Sequence, residues 1–306
     1  FQVDDGYERT VGDWLYHDEK KFPSGMKLIA DNIHKNDMLA GLWLAPFAAT
    51  PKSYIYNKHK DWFVKNKNGK IPFASHNWGG FYALDIYNNE VRQYLKEVFD
   101  TVLNVWGYDM VKLDFLYACC IIPFNGKSRG EIMCDAMDLI RELCGDKLIL
   151  GCGVPLAPAF GKVDFCRIGA DMALSWGKKP FSREDVSTKH ALLNTIFRRE
   201  LDGRAFLNDP DVFLLRDNNI KMSFEQRKLI AETASLFGNL LFVSDDVSTY
   251  NSNQKDCFIN VTTRNKADIN YVNMDSDGDI SIKYTLDGEK KGYCFNINSG
   301  DKKVLI

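Results

Sequence analysis

No stretch of this chain approaches the roughly 18 consecutive apolar residues that a membrane-spanning helix needs. Basic charge is not in excess either. There are 39 Lys and Arg against 41 Asp and Glu, a net charge of −2. That argues against a nucleic-acid partner, which calls for a cationic face. No basic-then-apolar leader opens the chain, so no signal peptide is read there. Histidine is scarce, with five in all, and none stands at zinc spacing from a cysteine. The eight cysteines (119, 120, 134, 144, 152, 166, 257 and 294) include no CxxC pair, so a structural zinc is not expected. Several lie in apolar runs, where a thiol behaves as a small hydrophobe, and reducing, cytoplasmic surroundings fit them. A GxGxxG turn after the first strand is also missing, which argues against a dinucleotide-binding sheet.

What the chain does have is an ordinary globular balance, 45% apolar and 26% charged over 306 residues. Eight short apolar runs recur, and several end in polar residues or Gly. Phe1-Gln2-Val3 ends at Asp4-Asp5, Leu39 to Leu44 at Ala45-Pro46, Phe81 to Leu84 at Asp85, and Met110 to Leu113 at Asp114. Leu148 to Leu150 ends at Gly151-Cys152-Gly153, Asp164 to Ile168 at Gly169-Ala170-Asp171, Ala205 to Leu207 at Asn208-Asp209-Pro210-Asp211, and Leu240 to Val243 at Ser244-Asp245-Asp246. Helical stripes fill most gaps: Gly25 to Asn36, Glu90 to Trp106, a capping box at Ser128-x-x-Glu131, a helix opening at Ser182, and another box at Ser223-x-x-Gln226. Eight strands alternating with helices predict an α/β protein, a (β/α)8 TIM barrel over residues 1–264. Residues 265–306 alternate in strand period around Asp277-Gly278 and Asp287-Gly288 and predict a small antiparallel β-domain. Asp275, Asp277 and Asp279 lack the Glu of a calcium loop and read as a hairpin turn.

Carboxylates cluster at the ends of these strands: Asp4, Asp5, Asp114, Asp171, Asp209, Asp211, Asp245 and Asp246. An all-oxygen magnesium site is one use for such a set. Glycoside hydrolysis is the other, since it needs two carboxyl groups flanking an anomeric carbon. Strand alternation puts Lys112 and Asp114 on one face, where the ammonium would keep the carboxylate ionised, as a nucleophile requires. Asp171, after Gly169-Ala170 and four residues beyond Arg167, suits a movable proton donor. Each motif alone reads as an ion pair, a turn or a helix cap; the case rests on their shared position.

Taken in order, Phe1-Gln2-Val3-Asp4-Asp5-Gly6-Tyr7, Gly12-Asp13-Trp14-Leu15, Leu42-Trp43-Leu44-Ala45-Pro46-Phe47, Tyr82-Ala83-Leu84-Asp85, Lys112-Leu113-Asp114-Phe115, Gly151-Cys152-Gly153-x-Pro155-Leu156, Arg167-Ile168-Gly169-x-Asp171, Leu207-Asn208-Asp209-Pro210-Asp211 and Ser244-Asp245-Asp246 resemble the α-galactosidases of glycoside hydrolase family 36, the melibiase group. The resemblance covers about residues 1–250. It implies a retaining exo-glycosidase on terminal α-linked galactose, without metal or cofactor. By position, Asp114 matches the nucleophile and Asp171 the acid/base, with the two carboxyls about 5–6 Å apart. Asp4 and Asp5 match the acceptors of the sugar's 4- and 6-hydroxyls. Lys112, Arg167, Trp43 and Cys152 match residues that bind or line the sugar. Trp176 reads equally as a stacking wall or as core. Partners would be galactose-containing oligosaccharides, with no nucleic acid and no membrane.

The chain departs from the family in three places. Gly79-Gly80 reads as loosening the segment before the third strand. The polar segment 252–263 stands where a helix follows the eighth strand. The β-sandwich that precedes the family's barrel is not in the sequence, and Phe1 stands only three residues before Asp4, so the chain reads as part of a longer protein. Galactosyl transfer in the manner of raffinose synthases and α-N-acetylgalactosaminidase activity are the neighbouring alternatives. A non-catalytic sugar-binding module is the distant one, and the intact Lys-x-Asp and Arg-x-x-x-Asp motifs speak against it.

Overall fold

The structure, a computed structural model, describes residues 1–177 and 186–305. It divides into two compact units, Phe1–Cys166 and Arg167–Ile306. In chain order the first holds β1 (Gln2–Val3), α1 (Gly25–His34), β2 (Gly41–Leu44), β3 (Ala48–Ala49), α2 (Tyr54–Lys58), β4 (Phe73–Ser75), β5 (Phe81–Ala83), α3 (Asn89–Asp100), β6 (Met110–Leu113), α4 (Arg129–Cys144), β7 (Leu148–Gly151), α5 (Leu156–Ala159) and β8 (Phe165–Arg167).

Strands β1, β2, β6, β7 and β8 are neighbours in that order and all parallel, in the registers Val3↔Leu42, Trp43↔Lys112, Lys112↔Leu150 and Gly151↔Cys166. A parallel sheet needs cover on both faces, and every residue of β2 is buried. Part of that cover comes from amphipathic helices. α3 buries Val91, Leu95, Val98 and Phe99 and widens over Thr101–Val105 before Gly107 turns the chain at φ 82°. α4 starts at the expected capping box, Ser128 with Glu131, and buries Ile132, Ala136, Leu139 and Ile140.

One strand departs from expectation. The run Phe81 to Leu84 does not join the parallel sheet. β5 pairs antiparallel with β3 (Ala48↔Ala83) and with β4 (Phe73↔Tyr82). The cause is local: Trp78, Gly79 and Gly80 all take positive φ (55°, 80° and 117°) and reverse the chain out of β4.

The second unit holds α6 (Thr188–Phe197), β9 (Leu207–Asp209), β10 (Val212–Phe213), α7 (Phe224–Phe237), β11 (Phe242–Val243), α8 (Ser252–Thr263), β12 (Asp268–Met274), β13 (Asp279–Leu286), β14 (Glu289–Asn296) and β15 (Lys302–Val304). The start expected at Ser182 lies outside the described residues; α6 is capped by Ser187, which accepts from the His190 N–H. β10 and β11 are parallel. β12 to β15 form the antiparallel sheet expected of the C-terminal segment. Asp287 and Gly288, at φ 54° and 82°, make the two-residue hairpin loop between β13 and β14. Asp275 Oδ1 accepts from the Asp277 and Asp279 N–H groups at 3.0 and 2.9 Å, closing the preceding turn. Ile280, Ile282, Tyr293 and Phe295 share one core with Leu229, Ile230 and Phe237.

The polar segment 252–263 is a helix after all. Asn251 and Gln254 form a reciprocal capping box that weak amphipathicity concealed, and only Gln254, Cys257 and Val261 are buried. With so little apolar burial the cap carries much of the helix. Asn251→Ala is therefore expected to cost about 1 kcal/mol, read as a lower urea midpoint at unchanged slope. An unchanged midpoint would show that packing alone holds α8.

Candidate functional site

The polar residues of the first unit gather where β1, β2, β6 and β7 end. Lys112 is buried on β6, opposite Trp43 on β2. An ammonium taken out of water needs a counter-charge, and Asp4, one residue beyond β1, supplies it at 2.8 Å. The sequence reading set Lys112 beside Asp114; the carboxylate that meets its ammonium here is Asp4, from a different strand. Asp4 also accepts from Gln2 Nε2 at 3.0 Å and from the Asp5 N–H at 2.9 Å. Asp114 leaves β6 with its N–H on the Leu44 carbonyl at 2.8 Å. Its carboxylate accepts from Trp43 Nε1 at 3.2 Å and from the Phe115 N–H at 2.7 Å. Half-buried and held from two sides, it keeps one orientation.

That orientation depends on unusual backbone. Phe115 takes φ 51°, and Trp78 takes φ 55°. Bulky residues rarely enter the left-handed region, and such residues are a pointer to function when the surroundings enforce them. Here the two are packed together, with ring centroids 4.7 Å apart. Trp78 also packs against Trp43 at 5.9 Å and donates from its indole to Asp5 Oδ2 at 2.9 Å. Trp78 was missed in the sequence, where it stood in a segment read only as loosened by Gly79-Gly80. Cys152 is buried, and its N–H bonds the Leu113 carbonyl at 2.8 Å. Gly153 follows at φ 56°, and a β-carbon there would come within 2.9 Å of Phe115 N and 3.1 Å of Asp114 Oδ1. Only glycine admits the Asp114 carboxylate at this point.

In the second unit Arg167 is the centre. Its side chain is 5% exposed, and it meets Asp171 through Nη1 at 2.9 Å, Asp209 through Nε at 2.9 Å and Asp211 through Nη2 at 2.8 Å. Asp209 is fully buried, whereas the Asp171 side chain is 68% exposed. Burial lifts Asp211 to about 6 against the opposing pull of Arg167. Asp245 is occupied structurally. It accepts from the Leu215 and Arg216 N–H groups, from Arg216 Nη1 and from the Tyr250 hydroxyl. Trp176 resolves to core: it is buried in the second unit, its indole donates to the Ile297 carbonyl at 3.0 Å, and Gly300 lies flat against its ring. Those contacts take up the surface that a stacking wall would need. Among the described residues no cluster of three or more His, Cys, Asp or Glu side chains is arranged to hold a metal ion.

One further acidic residue, unnoticed in the sequence, belongs to the first unit's site. Glu8 is buried, accepts from the Gly6 N–H at 3.2 Å and shares a hydrogen bond with Asp5. Burial first, and that bond second, raise it from 4.5 to about 8, so at neutral pH it carries a proton. An acid raised on folding stabilises the folded state below its unfolded value, and that stability is lost as pH rises through its folded value. Glu8→Gln stays neutral throughout. Wild type is therefore expected to lose about 1–3 kcal/mol relative to Glu8→Gln between about pH 4.5 and pH 9, measured by urea denaturation. Parallel stability curves for the two proteins would place the Glu8 titration outside this window.

A family model described as Melibiase matches residues 1–127. The structure is similar to that of TtGalA, an α-galactosidase from Thermus thermophilus in complex with p-nitrophenyl α-D-galactopyranoside. The TM-score is 0.82 and the identity 30%, over 95% of this chain and 58% of that one. Among curated proteins, α-galactosidase Mel36A of Lactobacillus acidophilus is 31% identical over 121 residues, 37% of this chain and 16% of that protein. The A type blood α-D-galactosamine galactosaminidase of Flavonifractor plautii is 29% identical over 139 residues, 42% of this chain and 13% of that protein. The chain thus spans little more than half of the solved relative, and its matches cover less than a fifth of each of these curated ones. On family model, sequence and fold together, the chain is similar to the melibiase family, with the family model matching its first 127 residues.

Proposed function

We propose that this chain carries the catalytic machinery of a retaining α-galactosidase of glycoside hydrolase family 36. In this reading residues 1–264 make a (β/α)8 barrel and residues 265–306 a small β-domain. The observation that carries the proposal is the set of groups at the strand ends of the first unit: Asp4 paired with Lys112, Asp5 held by Trp78, and Asp114 fixed by Trp43 and the Phe115 N–H. Exposed carboxylates that already hold a cation or an indole can accept sugar hydroxyls in a fixed direction. An epimer that leaves such an acceptor unpaired is disfavoured by about 1–3 kcal/mol.

Asp114 attacks the anomeric carbon as the bond to the leaving oxygen breaks, forming a β-galactosyl ester. Asp171 gives its proton to that oxygen. It then takes a proton from water, which attacks the anomeric carbon as its bond to the Asp114 carboxylate breaks, releasing galactose with retained configuration and the free Asp114 carboxylate. Arg167 and Lys112 hold the surrounding hydroxyls and carboxylates, and Trp43 and Cys152 line the sugar. Substrates are oligosaccharides ending in α-linked galactose.

A second reading, α-N-acetylgalactosaminidase, is favoured by the likeness to the galactosaminidase of Flavonifractor plautii. It needs room beside Cys152 to Leu156 for an acetamido group. Rates on p-nitrophenyl α-galactoside, α-N-acetylgalactosaminide and α-glucoside separate the two, with the galactoside expected to be fastest. Asp114→Ala is expected to lower turnover by roughly 10³-fold or more, with azide restoring release of p-nitrophenol and yielding β-galactosyl azide. Undiminished hydrolysis by Asp114→Ala would end the assignment.

A further inference from the structure

A proton donor touched by a guanidinium presents a difficulty. The positive charge favours the carboxylate, yet an acid catalyst must arrive protonated. Asp171 is in this position, 2.9 Å from Arg167 Nη1. The same guanidinium also meets two carboxylates that are almost wholly buried, Asp209 at Nε and Asp211 at Nη2. Asp211 grips the acid's own segment a second time, because its Oδ2 accepts from the Met172 N–H at 2.5 Å. Its backbone is held at φ 79°, and its N–H is tied to Asp209 Oδ1 at 2.8 Å. Asp209 in turn accepts, through its carbonyl, from the Ile168 N–H at 3.1 Å. The motif Asn208-Asp209-Pro210-Asp211 therefore reaches Arg167 and both sides of the Gly169-Ala170-Asp171 segment.

We propose that Asp209 and Asp211 are positioning residues for proton transfer: they balance the charge of Arg167 and anchor the backbone around Asp171, so that Asp171 can hold a proton beside a guanidinium. The proposal rests on the reading of Asp171 as the acid/base. Among the described residues, the charged groups facing Asp211 are Arg167, Asp209 and Asp171. Removing one negative charge leaves Arg167 under-balanced, so that more of its charge falls on the Asp171 carboxyl it touches.

The test compares the full chain with Asp211→Asn and Asp209→Asn on two substrates, with folding checked by circular dichroism. Melibiose has a poor leaving group that needs the proton; 2,4-dinitrophenyl α-galactoside has one that leaves without it. Both variants are expected to move the alkaline limb of kcat/KM on melibiose down by about one pH unit. They should also lose at least about tenfold more rate on melibiose than on the dinitrophenyl substrate. An unmoved limb with equal losses on both substrates would mean that the motif only supports the fold, and would overturn the proposal. Asp171→Ala is run alongside. If it too loses both substrates equally, the reading of Asp171 fails first. If it shows the selective loss and the Asn variants do not, the positioning role alone fails.

Discussion

A charged side chain removed from water must be met by an opposite charge or by oriented hydrogen bonds, and the polar ends of these strands are organised around that requirement. Lys112 projects from the middle of a sheet whose neighbouring positions are Leu, Val and Trp. Its ammonium is tolerable there because Asp4 stands 2.8 Å away at the end of β1. The pairing in turn depends on register: Val3 opposite Leu42, and Trp43 opposite Lys112. A slip of one residue in β6 would turn Lys112 to the opposite face and separate the two charges. Strand register and charge pairing therefore constrain each other, and together they fix where Asp4, Trp43 and Asp114 can stand.

Holding Asp114 in one orientation requires a backbone that most residues avoid. Phe115 sits in the left-handed region, and Gly153 lies so close that no side chain fits between them. Strain of this kind persists only where surrounding contacts over-determine it. Phe115 is packed against Trp78 and Phe81, and Trp78 is itself left-handed and tied to Asp5. Two strained residues thus stabilise each other while one orders a carboxylate through its N–H and the other through its indole. The antiparallel turn into β5, which takes that strand out of the parallel sheet, is what delivers Trp78.

Much of this was legible in the sequence because strand ends, capping boxes and Asp-Gly turns are local signals. Ser128 with Glu131, Asp287-Gly288 and the polar residues ending β1, β6 and β7 are read from a few adjacent positions each. What escaped was decided by distant contacts. Glu8 looks like a surface residue until burial and Asp5 raise it to about 8. Trp78 looks like loop until a Gly-Gly turn folds it onto Trp43. Trp176 lies five residues past Asp171, where proximity in sequence suggested a sugar wall, but its partners Ile297 and Gly300 are more than a hundred residues on. α8 went unseen for a related reason: its start is marked by a polar exchange between Asn251 and Gln254, with almost no apolar stripe behind it.

The two units meet the same electrostatic requirement with different cations, and the difference follows from side-chain geometry. Lysine is a compact charge on a flexible stem, suited to one close partner, and Lys112 pairs with Asp4. Arginine spreads its charge over a planar fork whose nitrogens point in fixed, separate directions, and Arg167 meets three carboxylates through three different nitrogens. Two of those carboxylates are buried and immobile; the third, Asp171, stands mostly in solvent. A planar fork gripped at Nε and Nη2 has no freedom left to follow the third partner. Any motion of Asp171 must then be motion away from a fixed donor rather than of the pair together. On the proposed reading of Asp171 as the acid/base, that is the mechanical condition for holding a proton, delivering it and taking another back at one place.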